Sequence, residues 1–208
     1  MRKKILVAFA TAVVAAAVAP AMASASTLVP AVPTGDNQAY LADSGGNPTS
    51  GTVHVSGALS LNGAASVDCS SNDFTVDLNN DGTGQVTAFT AAGCSVTGFP
   101  NCTVSVTPTN LNWGARLVYN TPSGPYRLYV NAKFHITFAQ GTPSCPAPAG
   151  TYDDTGLLSP AVSFSGSTLS ATFGAGSGSV SGPLGTATVG GTVTGSVTSP
   201  STGEQFVF

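Results

Sequence analysis

The sequence predicts an all-β fold, an antiparallel β-sandwich or a partly open barrel that is held by two disulfides. Apolar residues recur at every second position in much of residues 51–145, and helical spacing is absent after residue 25. Gly, Pro, Asn and Asp separate these runs, as residues of tight turns do. Four cysteines form an even set, which is typical of a protein that folds in an oxidising compartment.

The first 25 residues have the features of an export signal. Residues 2–4 are Arg-Lys-Lys, residues 5–18 are an uncharged apolar run, and residues 23–25 are the Ala-Ser-Ala that a signal peptidase recognises. The apolar run is too short to span a bilayer, and no later transmembrane segment is expected. We therefore expect a signal peptide at 1–25, a mature chain that begins at Ser26, and a protein that is secreted to the extracellular space or cell surface.

Removal of the signal would leave an acidic chain. Three of the six Lys and Arg residues lie in it, so three cations would face nine Asp and Glu, a formal charge of −6. Nucleic acid and anionic membranes are poor partners for such a chain. Charged residues make up only 7% of the sequence, so hydroxyls, amides and backbone must cover much of the surface.

The chain after the signal is interpreted as an extended leader, residues 26–50, and a single β domain, residues 51–208. The leader is rich in Pro, Gly, Asn, Ser and Ala and has room for one edge strand. Residues 157–208 form a Gly/Ser/Thr-rich strand extension, with turns predicted at Gly182-Pro183 and Gly190-Gly191 and a closing edge strand at 206–208. A disordered Gly/Ser linker is the alternative for this extension.

The cysteine spacing predicts how the thiols pair. Cys69 and Cys94 lie equally far from Asp81-Gly82, the strongest hairpin-turn dipeptide of the chain. Folding at that turn brings these two cysteines opposite each other. Of the three possible pairings we therefore favour Cys69–Cys94 and Cys102–Cys145. A zinc site is the alternative, but no C-x-x-C occurs and the histidines are distant in sequence.

The register of this first hairpin contains an inconsistency. Symmetry about the turn pairs Phe74 with Phe89, whereas the apolar alternation prefers Leu78 opposite Val86. One extra residue in one strand shifts the register by one. We therefore predict a β-bulge near residue 82 or 84.

A second hairpin has the clearest alternation in the chain. Apolar residues occupy every second position of 126–138, and polar residues lie between them, which predicts a long strand with one buried face. Its partner is the segment 113–119, reached through a turn at 122–125. Matching the apolar sets predicts Arg116 beside Asn131 and Val118 beside Tyr129 on the outer face.

The sequence contains little that predicts catalysis. No G-x-S-x-G, H-E-x-x-H or phosphate-binding loop occurs, and we interpret His135 as a solvated residue on an exposed strand face. Asp153-Asp154 is a paired carboxylate, but we interpret its segment as a loop without a second partner. We expect neither an enzyme nor a cofactor.

The segment 77–82 matches the opening of a calcium loop, D-x-N-x-D-G. The bidentate Glu of the twelfth position is replaced by Ala88. Because the same residues suit a hairpin turn, we predict a turn and no metal site, with calcium binding as the alternative.

The three cations of the mature chain fall on one predicted strand face. Arg116, Arg127 and Lys133 lie on the outer side of the second hairpin, together with Tyr129 and His135. Such a cationic and aromatic patch could bind a polymer, a glycan or an acidic partner. The alternative, which we favour, is that a solvated face simply carries some charge.

Several short features resemble the secreted alkane-oxidation activator proteins. They are the stretch 67–69 (Val-Asp-Cys), Phe74, the turn at 81–84 (Asp-Gly-Thr-Gly), 93–94 (Gly-Cys) and the later Cys145, within roughly residues 50–150. The resemblance implies an extracellular protein that assists growth on hydrophobic carbon sources and has no catalytic residues.

These observations favour a secreted, nonenzymatic surface or interaction protein that aids contact with hydrophobic substrates. A hydrophobic surface, a glycan or a cell-envelope component would be its partner. An extracellular glycan-binding module that uses the second hairpin is one alternative. A secreted hydrolase with an unrecognised site is another.

Overall fold

A computed structural model describes residues 29–43, 45–120, 126–165, 168–198 and 205–207. The predicted signal peptide, its cleavage site, the 122–125 turn and Phe208 lie outside these ranges. The described residues contain strands and turns and no helix.

Fifteen strands follow one another along the described chain. They are β1 (Asn37–Gln38), β2 (Tyr40–Ala42), β3 (Pro48–Thr49), β4 (Gly51–Asn62), β5 (Val67–Leu78), β6 (Thr83–Val96), β7 (Val104–Pro108), β8 (Trp113–Tyr119), β9 (Tyr126–Phe138), β10 (Gly150–Leu158), β11 (Ala161–Ser165), β12 (Thr168–Phe173), β13 (Ser179–Gly182), β14 (Gly185–Thr198) and β15 (Gln205–Val207).

Eight antiparallel strands close into a barrel. The ring runs β4, β5, β6, β8, β9, β11, β12 and β14, and β14 pairs with β4 along eleven residues to complete it. Three further strands extend the pairing of this ring. β7 and β8 both pair with one edge of β9, and β10 and β11 both pair with its other edge. β12 and β13 both pair with the same edge of β14. The predicted all-β antiparallel class is confirmed, and the sheet is a closed barrel rather than a sandwich.

Alternating side chains from the barrel strands fill its interior. Near its middle, four aromatic rings pack together: Phe74 lies 4.7 Å from Phe89, and Trp113 lies 5.7 Å from Phe89 and 5.6 Å from Phe134, measured between ring centroids. The indole N–H of Trp113 donates to the Thr109 carbonyl at 2.9 Å, so its polar atom is satisfied. Burial of these rings supplies much of the apolar stabilisation of a small barrel.

Both predicted disulfides are confirmed. Cys69 of β5 lies directly opposite Cys94 of β6, and the two are bonded. The second disulfide joins Cys102, just before β7, to Cys145 in the long connection between β9 and β10. It therefore ties two loops at the same end of the barrel.

The first hairpin contains a bulge, but at a different place from the predicted one. Phe74 pairs with Phe89 as symmetry predicts, and Val76 then pairs with Val86, so the register shifts at Thr87 rather than near the turn. The turn itself is regular: Gly82 has a φ of 74° and donates its N–H to the Asn79 carbonyl at 3.0 Å. The apolar pairing predicted for Leu78 and Val86 is wrong.

The second hairpin keeps the predicted faces but not the predicted register. Arg116 pairs with Tyr129 and Val118 with Arg127, two residues away from the expected partners. The outer side chain of Val118 is buried, and Gln38 of β1 is its cross-strand partner in the sheet.

The leader forms more structure than one edge strand. β1 pairs with β8, while β2 lies between β3 and β15 in a separate small sheet. Ala39 donates its N–H to the Leu117 carbonyl at 3.0 Å, near the 79–82 turn. The buried residues Leu41 and Ala42 follow it, so the leader packs at the barrel end that holds this turn.

The Gly/Ser/Thr-rich extension is built into the barrel. Strands β11 to β14 cover 161–198 apart from short connections, and their inward residues, Leu169, Phe173 and Val193 among them, are buried. The turn predicted at Gly182-Pro183 is confirmed. The one predicted at Gly190-Gly191 is wrong, because both glycines lie inside β14, where a Cβ on Gly191 would overlap the Ala58 carbonyl of β4.

Candidate ligand-binding site

A cavity of about 120 Å³ lies at the end of the barrel opposite the leader. Five segments form its wall: the β4–β5 turn with its flanks (61–67), the end of β9, residues 146–147 of the β9–β10 connection, Asp154 of β10, and residues 184–187 around the start of β14. Ala64 and Thr186 are both part of the wall and solvent-exposed, so the cavity opens to solvent at this end.

Most of the cavity wall is apolar. Leu61, Val67, Ile136, Phe138 and Ala147 are buried side chains that face it from the barrel interior. They do so because they occupy inward positions of alternating strands, or, for Ala147, because the adjacent disulfide holds its loop over the barrel end. The wall therefore offers a water-avoiding ligand an apolar surface.

Asp154 is the titratable side chain of this wall. It occupies an inward position of β10 opposite Phe134, and only 4% of the residue is exposed. Gly182 of β13 leaves the space that its carboxylate fills, since a Cβ on Gly182 would overlap the Asp154 Oδ1 atom. Among the described residues, no hydrogen bond to this carboxylate is seen; its oxygens are not among the fully buried atoms that lack a partner, and the cavity that it lines opens to solvent.

The environment of Asp154 disfavours its charged form. Loss of hydration on burial, and to a smaller extent the neighbouring Asp153 carboxylate, raise the pKa of Asp154 above its ordinary value of 3.8. The nearest ionisable side chains on β9, Lys133 and His135, lie on its outer face, and the described residues of β13 and β14 carry no titratable group.

We expect Asp154→Asn to stabilise the protein at neutral pH. The folded state holds the Asp154 proton more tightly than the unfolded chain, so its stability falls as pH rises from 3.8 through the raised pKa. The free energy of unfolding of Asp154→Asn should exceed that of wild type by about 1 kcal/mol at pH 7. This value is at the low end for burial of an unpaired polar group, because the cavity opens to solvent.

Urea denaturation at pH 7 and pH 3 measures this difference. The gain should shrink toward zero at pH 3, where both proteins carry an uncharged side chain. The exposed neighbour provides the control, because Asp153→Asn should change stability much less. A loss of stability in Asp154→Asn at pH 7 would contradict the expectation.

Two of the predicted patch residues serve the fold. The Arg116 guanidinium donates to the Pro30 carbonyl at 2.5 Å and to the Gln38 side-chain oxygen, which anchors the leader on β8. Arg127 donates to the Ser159 carbonyl at 3.0 Å, where the chain passes from β10 to β11. Both side chains are half-buried.

The other three patch residues also lie on the outer face of β9. Lys133 is exposed and Tyr129 is half-buried beside Arg116. His135 Nδ1 lies 2.6 Å from the Asp153 carboxylate, in an ion pair that needs a protonated imidazole and is not aligned as a hydrogen bond. The interpretation of Asp153-Asp154 as a loop is wrong, because both residues belong to β10 and Asp153 lies directly opposite His135.

In the segment 77–82, which has the spacing of a calcium loop, the carboxylates accept hydrogen bonds from neighbouring residues of the protein. Asp77 accepts a hydrogen bond from the Thr52 hydroxyl at 2.7 Å, and Asp81 accepts from the hydroxyl and N–H of Thr83 at 2.6 and 3.0 Å. These hydrogen bonds to Thr83 lower the pKa of Asp81. Within the described ranges, no group of three or more His, Cys, Asp or Glu side chains could hold a metal ion.

Sequence reasoning missed the cavity and its carboxyl. The signal for Asp154 was present, because Tyr152, Asp154, Gly156 and Leu158 alternate toward the barrel interior. The turn-like composition of 150–156 concealed that alternation. The cavity has no such local signal, because its wall combines five segments of the chain.

Comparisons of the chain with protein-family models, curated proteins and solved structures find no match. In the part of the chain that the structure describes, no helix has the length and apolar character needed to cross a membrane.

Proposed function

We propose that this protein is an exported, noncatalytic protein that binds small apolar molecules in the open end of its barrel and so aids contact with hydrophobic compounds. The apolar cavity carries this proposal. Its volume of about 120 Å³ is close to that of an engineered apolar cavity of about 150 Å³ that binds benzene. A benzene-sized ring or a short alkyl chain is therefore the expected occupant.

The composition of the wall favours binding over catalysis. Acid–base or nucleophilic chemistry needs at least two matched groups near one substrate. Among the described wall residues, Asp154 is the one titratable side chain, while the His135–Asp153 pair lies on the outer face of the barrel. The proposal also agrees with what the resemblance to alkane-oxidation activators implies.

Toluene provides a direct test. In an NMR titration with ¹⁵N-labelled protein, we expect shifts that cluster at 61–67, 136–138, 146–147 and 184–187, with a Kd of about 1 mM, because such a ligand is small. Ala64→Trp places an indole at the exposed mouth of the cavity and should weaken binding at least fivefold. Ala88→Trp adds the same indole to the exposed surface of β6 and should leave binding unchanged.

The titration can also reject the proposal. Shifts scattered over the outer barrel surface, or no shifts at the solubility limit of toluene, would show that the cavity does not bind apolar molecules. Equal effects of the two Trp variants would place the site elsewhere on the protein.

A further inference from the structure

We infer that the cavity selects small organic ammonium ions, with the Asp154 carboxylate as the group that receives the cationic end and the apolar wall as the surface for the hydrocarbon part. This inference rests on the proposed function and adds the chemical class of the ligand. It begins from a carboxyl that is 4% exposed, faces an apolar cavity and has no hydrogen-bond donor among the described residues.

The position of Asp154 is maintained by its surroundings. On one side, β9 places Phe134 opposite it, and on the other, Gly182 leaves room for its Oδ1 atom. An alanine at residue 182 would overlap both the Asp154 Oδ1 atom and the Asp153 backbone carbonyl of β10. The side chain therefore points where a ligand inside the barrel end would meet it.

Charge decides between possible ligands. An unpaired buried carboxylate is costly, and an ammonium group would both neutralise it and donate the missing hydrogen bonds. A ligand anion would place like charges together in an apolar cavity. The excess of Asp and Glu over Lys and Arg also attracts cations toward the protein as a whole.

The size of the cavity limits the hydrocarbon part. A volume of about 120 Å³ fits one six-membered ring or a short alkyl chain and excludes a long acyl chain as a whole. A ring or alkyl chain that carries one methylammonium group matches both the wall and the carboxyl. Benzylamine, which is protonated at neutral pH, is therefore a suitable probe.

The test compares benzylamine, benzyl alcohol and toluene by NMR titration at pH 7.5 with wild type, Asp154→Asn and Asp153→Asn. In wild type we expect benzylamine to bind more tightly than benzyl alcohol. Asp154→Asn should weaken benzylamine about tenfold or more, as expected for loss of a charged hydrogen bond, and this loss should be at least fivefold larger than any change in toluene binding. Asp153→Asn, an exposed neighbour, should leave both ligands within threefold.

Each other result has a distinct meaning. If benzylamine binds wild type and Asp154→Asn equally while toluene binds both, the ammonium inference fails and the proposed function stands. If wild type prefers benzyl alcohol to benzylamine, the carboxyl acts as a protonated donor and the inference fails. If neither toluene nor benzylamine binds wild type, both the inference and the proposed function fail.

Discussion

Replacing Cys102 and Cys145 together by alanine should lower the free energy of unfolding by about 4 kcal/mol. The bond closes a loop of 43 residues, and its loss gives the unfolded chain more freedom in proportion to the logarithm of that length. Urea denaturation followed by far-UV circular dichroism would measure the loss. Because a domain of this size has limited total stability, the effect should be large relative to the whole.

The same variant should weaken toluene binding even where it remains folded. Pro146 and Ala147 follow Cys145 directly and form part of the cavity wall, so the disulfide holds that wall against β7. Without it, the loop must be ordered when the ligand binds, which costs affinity. We expect a loss of at least threefold at 15 °C.

The other disulfide gives a matched control. Replacing Cys69 and Cys94 by alanine opens a shorter loop of 25 residues and should cost slightly less, about 3.5 kcal/mol. Neither residue lines the cavity at the barrel end. Toluene should therefore bind this folded variant as it binds wild type, and an equal loss of binding in both double variants would contradict the role assigned to Cys145.

Local signals were sufficient to predict the strands of the barrel. The alternation of 126–138 and the Asp81-Gly82 turn depend on neighbours within a few residues, and so do the repeated Val and Thr of 186–198. The first two became the predicted strand and turn, whereas 186–198 forms one continuous strand in place of the predicted strands around a turn at Gly190-Gly191. The Cys69–Cys94 pairing was also predictable, because both cysteines lie equally far from one turn.

The register of paired strands could not be predicted from the same signals. Sliding one strand by two residues keeps every side chain on its own face, so the apolar alternation cannot distinguish the observed Arg116–Tyr129 pair from the predicted Arg116–Asn131 pair. The bulge at Thr87 likewise depends on how β6 meets both β5 and β8. Such contacts are not encoded in either hairpin alone.

Closure and the cavity depend on the most distant contacts in the chain. β14 pairs with β4 across more than 120 residues, for example Val193 with Gly57. No local pattern predicts which two strands will meet to close a sheet. The inward position of Asp154 becomes meaningful only after closure, since a carboxyl on an open sheet would face solvent.

Replacing Trp113 by alanine should lower the free energy of unfolding by about 3–5 kcal/mol, as expected for a buried aromatic ring. Trp113 is 3% exposed and packs against Phe89 and Phe134 at 5.7 and 5.6 Å between ring centroids. Its loss would leave a hole in the middle of the barrel that neighbouring strands, fixed by their hydrogen bonds, cannot fill. Because the sequence contains a single Trp, circular dichroism rather than tryptophan fluorescence must follow unfolding.

Trp113→Phe separates ring packing from the hydrogen bond. This variant keeps most of the ring and loses the N–H that donates to Thr109, so it should cost about 1–2 kcal/mol. A similar cost for the two variants would mean that the hydrogen bond, and not the aromatic cluster, stabilises this region. Phe134 also lies opposite Asp154, so Trp113→Ala should disturb the cavity as well. If Trp113→Ala lost stability but bound toluene normally, the cavity wall would fold independently of the aromatic cluster.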